Sequence, residues 1–220
     1  MELNCVVRQT ADDFDAVVIW LHGLGASGDD FVPALPYLEL PSSAKIRFVF
    51  PNAPRIPVTI NAGYVMPAWY DIISMGEQRE FSVPQLLASA DMLKQLIDLH
   101  IEAGIDSRRI LIAGFSQGGA VAYEAVLNYP KTLAGLLALS TYFPTAERAM
   151  LGTANQSIEV MLHHGSHDEV VTPPMAQSAH NDLLRLGINV STHYYPMGHE
   201  VCLPQLKDIG EFISRQLKLR

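Results

Sequence analysis

Short apolar runs recur along the chain, and polar, periodic stretches separate them. "AVVIWL" (16–21), "IRFVF" (46–50), "RILIAG" (109–114), "LAGLLALS" (133–140), "IEVMLHH" (158–164) and "NVSTHYY" (189–195) each read as a strand. Most are apolar at nearly every position, the pattern of strands covered on both faces, which predicts a parallel sheet. "LNCVVRQ" near the start reads as an added edge strand. Between the runs lie helical patterns. Ser82 and Gln85 have capping-box spacing, with Pro84 in the first turn. Leu86, Ala90, Leu93, Ile97 and Ile101 then mark one face of a helix that Gly104 closes. Further helices are predicted from about Gln117 to before Pro130, from Pro174 to Leu186, and from about Pro204. In the last, Leu206, Ile209, Ile213 and Leu217 face inward.

Alternating strands and helices predict an α/β fold: a single domain over 1–220, with a mostly parallel central sheet and helices on both faces. One stretch breaks the alternation. From Pro51 to Phe81 no helix is convincing, and "PNAPRIPVTINAGYVMPAWYDI" carries four prolines, two tyrosines and a tryptophan. A long irregular insertion in a compact domain is usually functional or disordered, and the aromatic content argues against disorder.

Composition narrows the function classes. No apolar run approaches the roughly 20 residues of a membrane helix. The N-terminus has neither the basic nor the apolar region of a signal peptide. A net charge of −8 without a Lys/Arg cluster argues against nucleic acid and anionic membrane surfaces. Cys5 and Cys202 read as thiols of a reducing compartment, hence a cytoplasmic protein.

The candidate chemistry begins at "ILIAGFSQGG". Ser116 lies between Gly114 and Gly118, after a predicted strand and before a predicted helix, the setting of a Gly-x-Ser-x-Gly nucleophile elbow. The plainer alternative is a helix N-cap serine beside packing glycines. A serine nucleophile needs a base, and the base an orienting acid. In this architecture they follow in the order Ser, acid, His. Of eight histidines, only His199 in "YPMGHEV" follows a candidate acid and sits just beyond a strand; His180 falls in a helix and His193 within a strand. Asp168 in "HHGSHDEVV" is the candidate acid, with its neighbour Glu169 left open. The His163, His164, His167 and Asp168 group matches no familiar zinc spacing.

Two N–H donors are needed for the oxyanion of a reacting carbonyl. The backbone N–H of Gln117 is one candidate. That of Leu24, in the glycine-rich loop "HGLGASG", is the other. Gly23, Gly25 and Gly28 also have dinucleotide-fingerprint spacing, but the acid expected about 20 residues on is not evident. Within the insertion, Ile60, Met66 and Trp69 are expected to border an acyl pocket, the alternative for Trp69 being a structural anchor.

"VIWLHGLGASGDDF", "RFVFPNAP", "PVTINAGYVMPAWYDI", "ILIAGFSQGGAVA", "LALSTYFP", "HGSHDEVV" and "YPMGHEV" together resemble a bacterial carboxylesterase of the phospholipase/carboxylesterase family, which includes acyl-protein thioesterases. The resemblance implies a compact α/β-hydrolase fold with a Ser116–Asp168–His199 triad, favouring Asp168 over Glu169. It implies an oxyanion hole from Leu24 and Gln117, and no metal or cofactor. The activity it implies is serine carboxylesterase. An acyl-protein thioesterase or lysophospholipase with the same triad is the alternative, and a catalytically silent binding protein the remote one. The expected partner is a small-molecule ester or acyl substrate, with a homodimer left open.

Overall fold

A computed structural model describes residues 3–75 and 79–219. Residues 76–78, inside the expected insertion, lie outside the described residues, as do 1, 2 and 220. Seven strands form the main sheet: β1 (Cys5–Gln9), β2 (Ala16–Leu21), β3 (Ile46–Pro51), β8 (Ile110–Phe115), β9 (Gly135–Leu139), β10 (Glu159–Gly165) and β11 (Asn189–Tyr195). Their order is β1-β3-β2-β8-β9-β10-β11. β1 is antiparallel to β3, and every other pairing in the sheet is parallel.

Side chains alternate across the sheet because the strand period is two. On one face Val17, Ile19 and Leu21 of β2 join Ile110 and Ile112 of β8. They pack under α1 (Val83–Glu102), α2 (Gln117–Leu127) and α3 (Pro173–Arg185). On the other, Ala16, Val18 and Trp20 join Phe48 and Phe50 beneath α4 (Leu203–Gln216) and a 3-10 stretch, Gly28–Leu38. Burial on both faces explains the continuous apolar runs. Among the described residues no helix is long and apolar enough to cross a membrane.

Three local features differ from the sequence expectations. The 3-10 stretch was not predicted. Pro33 and Pro36 each remove an N–H that an α-helical ladder would use, so the chain takes the tighter form. At its end α4 comes so close that a Cβ on Gly210 would collide with the Leu38 carbonyl.

The insertion is not irregular throughout. β4 (Arg55–Val58) and β5 (Tyr64–Pro67) form an antiparallel hairpin. β6 (Ile72–Ser74) pairs with β7 (Glu80–Phe81). The β4–β5 turn puts Ala62 at φ 54° and Gly63 at φ 75°.

The capping box at Ser82 does not form. Gln85 Oε1 instead accepts the Asp71 N–H at 2.7 Å, while the Ser82 N–H donates to the Asp71 carbonyl at 2.9 Å. Ser82 still stands at the N-cap position with Pro84 in the first turn. The insertion has taken the glutamine that the helix alone would have used.

Candidate active site

Ser116 stands between β8 and α2 with φ 53° and ψ −119°, a backbone conformation that side chains disfavour. The surroundings hold it there. Its N–H donates to the Leu139 carbonyl at 2.9 Å, and its own carbonyl accepts the Thr141 hydroxyl at 2.6 Å. The flanking glycines are a requirement of close approach. A Cβ at Gly114 would lie 2.5 Å from the Gly118 carbonyl oxygen, and one at Gly118 2.6 Å from that of His22.

Asp168 follows β10 and its side chain is fully buried. The N–H groups of Val170 and Val171 donate to its Oδ1 at 2.9 and 2.8 Å. That leaves Oδ2 for His199, whose Nδ1 lies 2.7 Å away. His199 follows β11, and its Nε2 lies 2.9 Å from Ser116 Oγ. A neutral ring that donates from Nδ1 to the carboxylate offers Nε2 as acceptor for the serine proton. Burial works to raise the Asp168 carboxyl. The His199 ring and the two N–H groups outweigh it, and the net shift is downward, so the group stays ionised. Glu169 is exposed and lines a neighbouring cavity instead.

Tight loop contacts bring these side chains together. The His167 N–H donates to the Met197 carbonyl at 3.1 Å, and a Cβ on Gly165 would strike the backbone of Met197 and Gly198. The loops bearing Asp168 and His199 therefore pack backbone to backbone.

The other histidines diverge. His163 and His164 project to opposite faces of β10: His163 packs on Tyr195, and His164 lies 2.7 Å from the Val171 carbonyl. His180 lies 2.8 Å from Thr192 Oγ1. His22 is buried, with Nδ1 2.7 Å from the Gly23 carbonyl and Nε2 accepting the Ala53 N–H at 3.1 Å. The Gly23–Gly28 spacing serves packing: Gly28 opens the 3-10 stretch, and a Cβ there would collide with the Phe50 carbonyl.

Ser116 and His199 open on a cleft of about 550 Å³, which Leu24, Gln117, Phe115 and Ile60 also line. Gln117 is the first residue of α2, so its N–H has no acceptor within the helix. A second cavity, of about 800 Å³, shares Met75, Arg79, Tyr142 and Val170 with the first.

Two of the three residues expected along the acyl wall are not among the residues that line the cleft. Met66 lies over Gly25, where a Cβ would be 3.6 Å from its sulfur. Trp69 is 1% exposed, and its indole N–H donates to the His22 carbonyl at 2.9 Å. After Pro67 the chain dives beneath the loop, taking the ring into the core. The sequence reading missed Met75, Tyr142 and Val170. Tyr142 and Val170 follow β9 and β10 at the same sheet edge as Ser116, so the strand-end rule would have found them.

The chain has counterparts among known proteins. The phospholipase/carboxylesterase family model matches residues 3–217. Acyl-protein thioesterase 1 of Schizosaccharomyces pombe is 40% identical over 180 residues, covering 81% of this chain and 79% of that protein. The Neurospora crassa protein of the same name is 34% identical, covering 92% of this chain and 87% of its own. The crystal structure of SOBER1 from Arabidopsis thaliana superposes with a TM-score of 0.85 at 30% identity, covering 92% of this chain and 99% of that one. The chain belongs to the phospholipase/carboxylesterase family. It is a serine hydrolase with an α/β-hydrolase fold. The two relatives named here are fungal rather than bacterial.

Proposed function

We propose that the protein hydrolyses carboxylic esters through an acyl-enzyme on Ser116. The observation that carries the reading is the unbroken hydrogen-bonded chain from Ser116 Oγ through His199 to Asp168, open to an apolar cleft. Ser116 Oγ attacks the ester carbonyl carbon as His199 Nε2 takes its proton. Asp168 holds the ring and balances the imidazolium. The oxyanion is received by the N–H groups of Leu24 and Gln117. As the intermediate collapses, the C–O bond breaks and His199 returns the proton to the leaving alcohol. Water, deprotonated by His199, then attacks the acyl-enzyme, and the acid leaves. The acyl chain lies along Ile60 and Met75. No step calls for a metal or cofactor.

A second reading shares every step but breaks a C–S bond in an acyl thioester. The names of the fungal relatives favour it. The thiols of Cys5 and Cys202 support a reducing, cytoplasmic setting for either substrate.

A fluorophosphonate probe should label wild type and not Ser116→Ala. Labelling that survives the substitution would refute the nucleophile assignment; an unlabelled wild type would point to a binding protein. Parallel kcat/KM values for p-nitrophenyl esters and acyl-cysteine substrates then rank the two substrate classes.

A further inference from the structure

β2 and β8 are adjacent in the sheet, with Leu21 paired to Gly114 at the carboxyl end of their register. Beyond that pair the two backbones stay in contact, Gly118 against the His22 carbonyl and Gly23 against Ser116, before one runs on to Leu24 and the other into α2. Sheet hydrogen bonds do not fix the distance between these two residues. Residues 67–70, running from the end of β5 toward β6, add side-chain and backbone bonds to both segments. The Gly25 N–H donates to the Pro67 carbonyl at 2.8 Å, and the Trp69 indole N–H to the His22 carbonyl at 2.9 Å. These bonds grip the glycine-rich loop on both sides of Leu24.

The same segment grips α2. The Trp69 N–H donates to Gln117 Oε1 at 2.8 Å, and Gln117 Nε2 donates to the Tyr70 carbonyl at 2.6 Å. Ser89 Oγ of α1 donates to the Trp69 carbonyl. Filling a core requires only an apolar ring. Here the N–H, carbonyl and indole N–H of Trp69 each bond a different part of the fold.

We propose that residues 67–70 are a strut that sets the spacing of the Leu24 and Gln117 N–H groups, with Trp69 as its positioning residue. The inference rests on the hydrolase reading of Ser116. Oxyanion donors work within a narrow distance range, and a misplacement of about 1 Å can cost about a hundredfold in rate. The strut also assigns the Gln117 side chain a task separate from its backbone N–H.

The test uses Trp69→Phe, which keeps a buried ring and removes the indole N–H, and Ser89→Ala, which loosens the same segment from behind. Titrating Ser116 with a fluorophosphonate sets the active concentration, so loss of folded protein is not counted. In Trp69→Phe, kcat for p-nitrophenyl esters is expected to fall about 10- to 100-fold, by the same factor at every acyl chain length and with KM unchanged. Affinity for a trifluoromethyl ketone should fall in parallel. That inhibitor takes the Ser116 oxygen at its carbonyl carbon, passes the serine proton to His199 and presents an oxyanion. Ser89→Ala should move both quantities less, in the same direction.

An unchanged kcat per titrated site overturns the strut. A shift in preferred chain length would make Trp69 a pocket wall instead. A fall in kcat without a fall in ketone affinity would place the effect away from the oxyanion. Should Trp69→Phe not fold, Gln117→Met and Ser89→Ala carry the same readouts. A wild type that does not react with the fluorophosphonate sinks the hydrolase reading itself, and the strut with it.

Discussion

The edge of the main sheet and the insertion at 51–81 meet at the same cleft but are built differently. Ser116 and Asp168 stand on short loops leaving β8 and β10, strands buried in the sheet, and His199 on the loop leaving the edge strand β11. Ile60 and Met75 stand on peripheral turns and two-stranded pairings, and Ile60 is 40% exposed. Hydrogen-bond geometry good to a few tenths of an ångström needs a scaffold that the core over-determines. A surface that selects among acyl groups does not. On this view the sheet edge decides whether the reaction occurs, and the outer insertion decides on what.

The heaviest blow to that division would fall at Ser116. Ser116→Ala should lose about a millionfold in kcat while its melting temperature holds, because triad members act as a unit. A variant keeping more than about a thousandth of the wild-type rate would remove Ser116 from the chemistry. Asp168→Asn comes next, with an expected loss of about 10⁴ in kcat from the wrong ring tautomer. Glu169→Gln should stay near wild type in the same assay. If the two losses were reversed, the acid would be the neighbour.

A third test probes the scaffold. Burial first, and then the nearby His193, push the His163 imidazole from 6.5 down to about 3. Below 6.5 the unfolded chain takes up a proton that the native ring refuses. Its contribution to stability is therefore complete above 6.5 and lost as pH falls toward 3. That single group gives a slope of about 1.4 kcal/mol per pH unit. Urea midpoints of His163→Gln should fall less steeply with acid than those of wild type; parallel curves would acquit the residue.

The smallest effect belongs to the outer turn of the insertion. Ile60→Ala should change the ratio of kcat/KM for long over short p-nitrophenyl esters by about threefold, with short-chain kcat intact, since partly exposed apolar contacts discriminate weakly. A larger loss at all chain lengths would mean that Ile60 belongs with the machinery.

Legibility in the sequence followed the same division. The β2 and β8 runs could be read because burial on both faces leaves an unbroken apolar signature. Ser116, Asp168 and His199 could be ordered because each follows its own strand. The hairpin of β4 and β5 is held by backbone bonds, and its prolines mask the pattern. Gln85 could not be read locally: its acceptor role was claimed by Asp71, 14 residues away in sequence. Trp69 was legible as apolar, but not as a donor to His22. Hydrophobicity says that a ring will be buried, never which carbonyl its N–H will find.

The backbone at Ser116 has a consequence for the history of such chains. A non-glycine residue held in that conformation costs about 1–3 kcal/mol, which glycine escapes. In a lineage that kept the fold only to bind something, no selection would oppose glycine at 116, and neutral drift toward better folding would favour it. Position 116 is where such a lineage would be expected to lose its serine first.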